Sequence, residues 1–363
     1  MVMVSTTLRD APPLAWPALR RAGGVKLVYL DQKDWVHLAQ ADTGHRDGTR
    51  YAAALRAARD ARAAGTAVFP LSLTHYSETL KMTSVRHRSD LARLMEELSG
   101  FAALPVRRLT ALYELDAAVT TLTSIPASTL PEVDLLGRGF RWAHGVRADG
   151  RIVKLDGSDS TGLLRERLGT ETADTLMAAF DLFTERMMLT GPSDADLPKL
   201  QALGYDPAAI VQAAQDRADN EAAFRQIVPD DVRRHPTRLL DRVLARELNT
   251  PDMVGAWKEL AGAYGMRVFD VLPELDPAAA CTLTRSMPGA EVAAVLKTGR
   301  HRNTTLTWTS NDMFDIDALT VAVPYCDIVG ADNAQAHALT ITHLADRMGT
   351  VIMRSVADLP AHL

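Results

Sequence analysis

The sequence predicts an α/β fold in two pieces, separated in the chain by a long helical segment. Three observations carry this. Short apolar runs closed by an acid stand near both ends of the chain, VKLVYLDQ from Val25 and DIVGAD from Asp327. Helical periodicity follows each of them, and the middle of the chain shows helical periodicity almost alone.

In order, residues 1–24 are Pro-rich and end in Arg20-Arg21-Ala22-Gly23-Gly24, which predicts a loosely held arm. Val25 to Leu30 is short, β-branched and aliphatic, as a buried parallel strand requires. Lys33 to Ala41 places Trp35, Leu38 and Ala39 on one helical face, and the Ala-rich YAAALRAARDARAAG is a second helix stopped by Gly65. Thr66 to Leu71 predicts the next strand, with Ser72 as N-cap of a helix over Thr74–Lys81 and another helix over Ser89–Leu98. From 109 to 296 the patterns are helical, broken by Pro/Gly clusters and by the loop DGRIVKLDGSDSTG. The α/β pattern then resumes. A helix runs from Asn311 to Val323 and should stop at Pro324, a strand covers Asp327–Ala331, a helix Asn333–Met348 and a last strand Thr350–Arg354. The expected organisation is an α/β domain formed by 25–108 and 297–363, with 109–296 as a mostly helical insertion.

The chain has 363 residues, 47% hydrophobic and 23% charged, which is ample for a core and argues against wholesale disorder. No stretch approaches the roughly 18 to 20 apolar residues of a membrane span. Two cysteines, Cys281 and Cys326, exclude a disulfide scaffold and a Cys-based zinc site. The first residues lack the leading basic region and apolar stretch of a secretory signal, so a cytoplasmic setting is expected. A net charge of −5 excludes nonspecific coating of nucleic acid by the overall field, though not a local basic rim. No GxSxG, GxxxxGK[ST] or strand-linked GxGxxG occurs. The His residues show no paired ligand spacing; His75 could cap a site next to Glu78, but a lone His on a helix is more often a surface or packed residue.

The acids are the informative residues. Asp31 closes the first predicted strand and Asp332 one near the C-terminus, and the carboxyl ends of parallel strands are where sites are built. Glu78 lies one short helix beyond the second strand, while Asp312 and Asp315 share a helix face. Such carboxylates raise one another's pKa unless a cation lies between them, and hard oxygen ligands suit Mg2+ or Mn2+. Each acid taken alone reads equally well as a turn residue or helix cap.

The segments VYLDQKDWVHLAQA, PLSLTHYSETL and NDMFDIDALTVAVPYCDIVGAD resemble the successive acidic motifs of PIN-like domains. That resemblance, over about 25–100 and 300–355, implies a parallel sheet flanked by helices whose carboxylates bind divalent metal at its C-terminal edge. It assigns Asp31, Glu78, Asp312, Asp315 and Asp332 as ligands of Mg2+ or Mn2+ and catalytic acids, and implies a nuclease, with RNA favoured over DNA. Asp317 points to another side of its helix. Ser72 and Asn311 are candidates to orient the carboxylates or a bound water. Of the basic clusters, KTGRHR, with Lys297, Arg300 and Arg302, is the expected nucleic-acid contact because it precedes Asn311. Trp308 could stack on a base, with core packing as the competing role. Two other classes stay open: an inactive nucleic-acid or protein-binding module, and a small-molecule phosphohydrolase. Homo-oligomerisation and a protein partner for the helical segment are likewise open.

Overall fold

A computed structural model describes residues 12–21, 23–122, 130–146, 158–193, 195–202, 206–265 and 276–363. Helices α1 to α5 are Gln32–Asp42, Ala52–Ala63, Leu73–Lys81, Val85–Ser99 and Arg107–Leu122. Then come α6 Gly139–Ala143, α7 Thr161–Leu168, α8 Thr170–Thr190, α9 Leu197–Ala202, α10 Pro207–Ile227 and α11 Asp230–Arg234. The last seven are α12 Pro236–Glu247, α13 Pro251–Ala263, α14 Pro277–Ser286, α15 Pro288–Arg302, α16 Ser310–Tyr325, α17 Asn333–Ile341 and α18 Leu344–Met348. The strands are β1 Leu19–Arg20, β2 Lys26–Tyr29, β3 Ala67–Val68, β4 Ala102–Ala103, β5 Val133–Asp134, β6 Gly137–Arg138, β7 Ile328–Gly330 and β8 Val351–Met353. No described helix is long and apolar enough to cross a membrane.

The two distant α/β pieces meet in one sheet. Its order is β3-β2-β7-β8 and every pairing is parallel, with Val28 opposite Ile328 and Val329 opposite Ile352. The strands are shorter than expected, because pairing partners exist only for two to four residues each. Side chains alternate across the pleat. Leu27, Tyr29 and Val329 join a core with α15 and α16, and Val28, Leu30 and Ile328 face a second core with α1, α2 and α4. Both faces are thus covered, which is why the strands read as continuous apolar runs.

Three expectations need correction. Pro324 does not stop α16 but sits inside its last turn, and the helix ends one residue later at Tyr325. The helix expected over Asn333–Met348 is two, because His343 takes a left-handed conformation with φ 53°. The arm, in its described part, is held and not loose: Ala15 N–H donates to Ser286 O at 2.8 Å, and β1 pairs with β5. Residues 1–11 and most of the loop 149–162 lie outside the described residues.

The helical segment shares the core of the sheet. Ala214 and Ala218 of α10 pack with Leu27, Tyr29 and Val329, and α15 runs without a break across 296 and 297. Between these helices lies a buried charge network. Lys297 Nζ reaches Glu247 at 2.5 Å and Glu221 at 3.0 Å, and Arg107 reaches Glu247 at 2.9 Å. Arg217 and Arg107 both engage Asp317, as the separate helix face of Asp317 had suggested. Lys297 is 3% exposed, so it is a core ion and not a phosphate contact. The sequence pattern KTGRHR looked like a surface patch only because its buried acidic partners lie fifty or more residues away.

Removing one partner of such a network leaves the others desolvated and unpaired, a loss of about 3–5 kcal/mol. Lys297→Ala is therefore expected to lower unfolding free energy by roughly that amount in urea titrations. A change within about 0.5 kcal/mol, as for an ordinary surface lysine, would contradict the buried-pair account.

Candidate metal centre

The site is built where the C-terminal ends of β2 and β7, the two central strands, meet the N-termini of three helices. Asp31 follows β2 and occupies the N-cap position of α1, but its side chain makes no capping bond and is left for other work. Asp332 follows β7 and caps α17, accepting from Gln335 N at 2.7 Å. Glu78 sits in the middle of α3 and Asp315 in the second turn of α16.

A histidine fixes the first two elements against each other. His75 is fully buried; Ser72 N–H donates to its Nδ1 at 2.9 Å, so the proton sits on Nε2, which donates to Leu30 O at 2.8 Å. The ring thus ties the residue before Asp31 to the start of the helix that carries Glu78. Burial pushes its pKa down to about 4, so it stays neutral. Ser72 caps α3 and its hydroxyl lies 3.2 Å from Tyr29 Oη. Its role is structural support of the site.

Electrostatics show which acids are neighbours. Burial, then the charges of Asp31 and Glu78, push Asp315 up to about 8, with Asp332 adding to the rise. Burial and Asp31 push Glu78 up to about 7. Asp31 is raised by burial, with Lys33 opposing and Asp332 reinforcing. Asp31 thus acts on Glu78 and Asp315, Glu78 on Asp315, and Asp332 on Asp31 and Asp315. Gln335 links two of them, since its Nε2 donates to Asp315 Oδ2 at 3.0 Å while its N–H caps Asp332.

Asp312 is not among them. It is the N3 residue of the capping box of α16, bonding Thr309 N at 2.7 Å, and it accepts from Arg300 at 2.7 Å. Three residues from Asp315 it shares a helix face, yet the capping geometry turns its carboxylate back toward Thr309. Arg300 also donates to Thr307 O at 2.6 Å, which leaves Arg302 as the one exposed member of the three KTGRHR cations expected to contact nucleic acid. Asn311 accepts from Lys81 at 2.8 Å, so it steers a cation and not a carboxylate. Trp308 is 2% exposed and belongs to the core.

Four contributors escaped the sequence reading. Gln335 follows Asp332 by three residues, the spacing of a capping box, which was the available signal. Asp34, three residues beyond Asp31, is fully buried, and neither carboxylate oxygen has a hydrogen-bond partner. Burial and the charge of Asp31 push it up to about 7, and a Cβ at position 330 would run into its carboxylate, so only Gly fits there. Lys33 and Lys81 are the local counter-charges. Lys33 donates to Ala331 O at 2.8 Å and stands 3.7 Å from Asp31; Lys81 lies 4.2 Å from the centre of the Phe314 ring, and burial lowers its pKa while the charges of Glu78 and Asp315 oppose that.

Among the described residues, no three His, Cys, Asp or Glu side chains stand together as a ready metal cage. The donor chemistry nonetheless fits a hard divalent cation: oxygen ligands only, repelling one another, with an unpartnered carboxyl beside them.

The same shifts set a pH dependence. Glu78 and Asp315 have folded pKa values of about 7 and about 8, above the ordinary carboxyl values of about 4. Folding then takes up protons, so their contribution is whole below about pH 4 and is lost as pH rises through about 7 to 8. His75 acts oppositely, since its depressed pKa costs stability as pH falls from about 6.5 toward 4. Between about pH 6.5 and 8.5 His75 no longer acts, and Glu78 and Asp315, together with the buried Asp34, Glu114 and Glu291 raised to about 7, should make metal-free stability fall with pH. Asp315→Asn should flatten that fall in thermal melts. An equal slope in the variant would contradict the assignment.

Comparison with family models, with curated proteins and with solved structures finds no match to this chain.

Proposed function

We propose that this protein is a divalent-metal-dependent nuclease of PIN-like type, cleaving phosphodiester bonds in RNA in preference to DNA. One observation carries the reading. Carboxyl groups drawn from both ends of the chain gather at the C-terminal edge of a parallel sheet, where Asp31 raises the pKa of Glu78 and Asp315, and Asp332 raises those of Asp31 and Asp315. Protein stability alone gives no reason to assemble such a group, because the repulsion destabilises the empty fold.

In this reading Asp31, Asp315 and Asp332 hold Mg2+ or Mn2+. The bound ion supplies an activated water and neutralises charge on the scissile phosphate. Gln335 keeps Asp315 and Asp332 in register through its two hydrogen bonds. Glu78, with its pKa near neutrality, is suited to take a proton from the attacking water and to orient it. Lys33 and Lys81 flank the acids and offer positive charge to phosphate oxygens. His75 contributes by keeping the spacing of Asp31 and Glu78 constant. Asp312 has no part, since its oxygens are used by Thr309 and Arg300.

The same two lysines support a second reading, an inactive binding module, because their ammonium groups do part of a cation's work without one. Cleavage of a labelled single-stranded RNA with Mn2+, against a chelator control, separates the two. Asp31→Asn and Asp315→Asn should each lose about 100-fold or more, and Gln335→Ala about 10–100-fold, with native melts retained. Asp312→Asn should keep its turnover while losing about 0.5–2 kcal/mol of stability from the broken cap. No metal-dependent cleavage of RNA or DNA by the wild type would refute the nuclease.

A further inference from the structure

Helix α8 has two different faces. On one, Ala173, Glu185 and Leu189 are buried, and Glu185 accepts from Phe140 N at 2.8 Å and Tyr76 Oη at 3.3 Å. Arg88, from α4, donates to Thr190 O at 2.9 Å, and Arg186 donates to Glu96 at 2.6 and 2.8 Å. These bonds mount α8 on α3 and α4, the helix of Glu78 and its neighbour. On the other face Leu176, Phe180, Phe183 and Met187 are 51%, 64%, 61% and 38% exposed.

The four exposed residues follow one another at steps of four, three and four, which is one stripe of a helix and the a/d spacing of a coiled-coil seam. Their order is close to a palindrome, with a phenylalanine pair inside and unbranched or γ-branched aliphatic side chains outside. A two-fold axis between positions 181 and 182, perpendicular to the helix, would set each Phe180 against the partner's Phe183 and each Leu176 against the partner's Met187. A closed two-fold contact requires this kind of self-complementarity: residue i meets j, and j meets i. Ala179 lies beside the seam and is small enough for close approach. The charges at its margins are already paired within the chain, Arg186 with Glu96 and Asp174 with Arg165, so closing the seam would strand neither.

The area is in keeping with this. Four side chains at these exposures offer about 400 Å2 per copy, taking about 150–250 Å2 for a whole aromatic side chain. That is roughly 800 Å2 for two copies from the stripe alone, against about 1,200 Å2 at the lower end of specific interfaces, so flanking residues must contribute the remainder. Leu163 and Leu168 of α7, the helix packed against α8, are each 42% exposed as well.

We propose that α8 is the seam of a two-fold, antiparallel homodimer, the occupant of the stripe being a second copy of this chain. The contact would be independent of the metal centre, and would tie two copies of the α3–α4 pair into a fixed relation.

Sedimentation equilibrium of the full chain over a range of concentrations tests this. The wild type should approach twice the chain mass with a reversible, concentration-dependent transition. Phe180→Asp with Phe183→Asp should weaken association by about 100-fold or more while leaving the thermal melt of the diluted protein unchanged. Register is read with a short bis-maleimide linker: Leu176→Cys plus Met187→Cys in one chain should cross-link between copies far better than either single variant. A wild type that stays monomeric at its highest soluble concentration overturns the proposal. So does a dimer that survives the double aspartate variant intact. Leu176→Cys alone cross-linking as well as the pair would overturn the antiparallel register.

Discussion

Mutual repulsion among the carboxyl groups at the sheet edge is the constraint that the rest of the site accommodates. Asp315 rises to about 8 and Glu78 to about 7 because burial and neighbouring acids disfavour their charges. Holding such a group together takes rigid scaffolding on every side. β2 and β7 lie adjacent and parallel, so Asp31 and Asp332 emerge from neighbouring strand ends. His75 bonds the end of β2 to the start of α3, and Gln335 bonds Asp332 to Asp315. Lys33 and Lys81 supply partial compensation. Each is a local bond whose combined effect is to fix acids from four elements in one place.

The helical segment belongs to this arrangement and is not an appendage. α10 and α15 cover one face of the sheet, and the network of Lys297, Glu221, Glu247, Arg107, Arg217 and Asp317 joins α5, α10, α12, α15 and α16. A buried network of this kind is costly to break and specifies one packing arrangement among many apolar ones. It holds α16, and hence Asp315, against the sheet.

Much of this was legible in the sequence, and the reasons differ by residue. The strands and most helices follow from apolar periodicity and caps, which are local. Asp31 and Asp332 stood out because the ends of parallel strands are special places whatever the surrounding sequence, and Glu78 and Asp315 through the resemblance to PIN-like motifs. Asp312 was misassigned because helix spacing places it on the face of Asp315, whereas its rotamer is set by the cap and by Arg300. Lys297 was misassigned because its partners Glu221 and Glu247 are remote in the chain and no local pattern reveals them. Asp34 was missed because an acid in the first turn of a helix ordinarily faces solvent; its burial depends on Gly330, 296 positions later.

The central claim is that these carboxyls give up protons to a divalent cation. Calorimetric titration of Mn2+ into the full chain at about pH 7, repeated in two buffers of different ionisation enthalpy, measures this directly. Binding should release about one proton per ion, most of it from Asp315 and the rest from Glu78, and the release should fall by more than half in Asp315→Asn. Binding with no proton release, or no binding at all, would contradict the account.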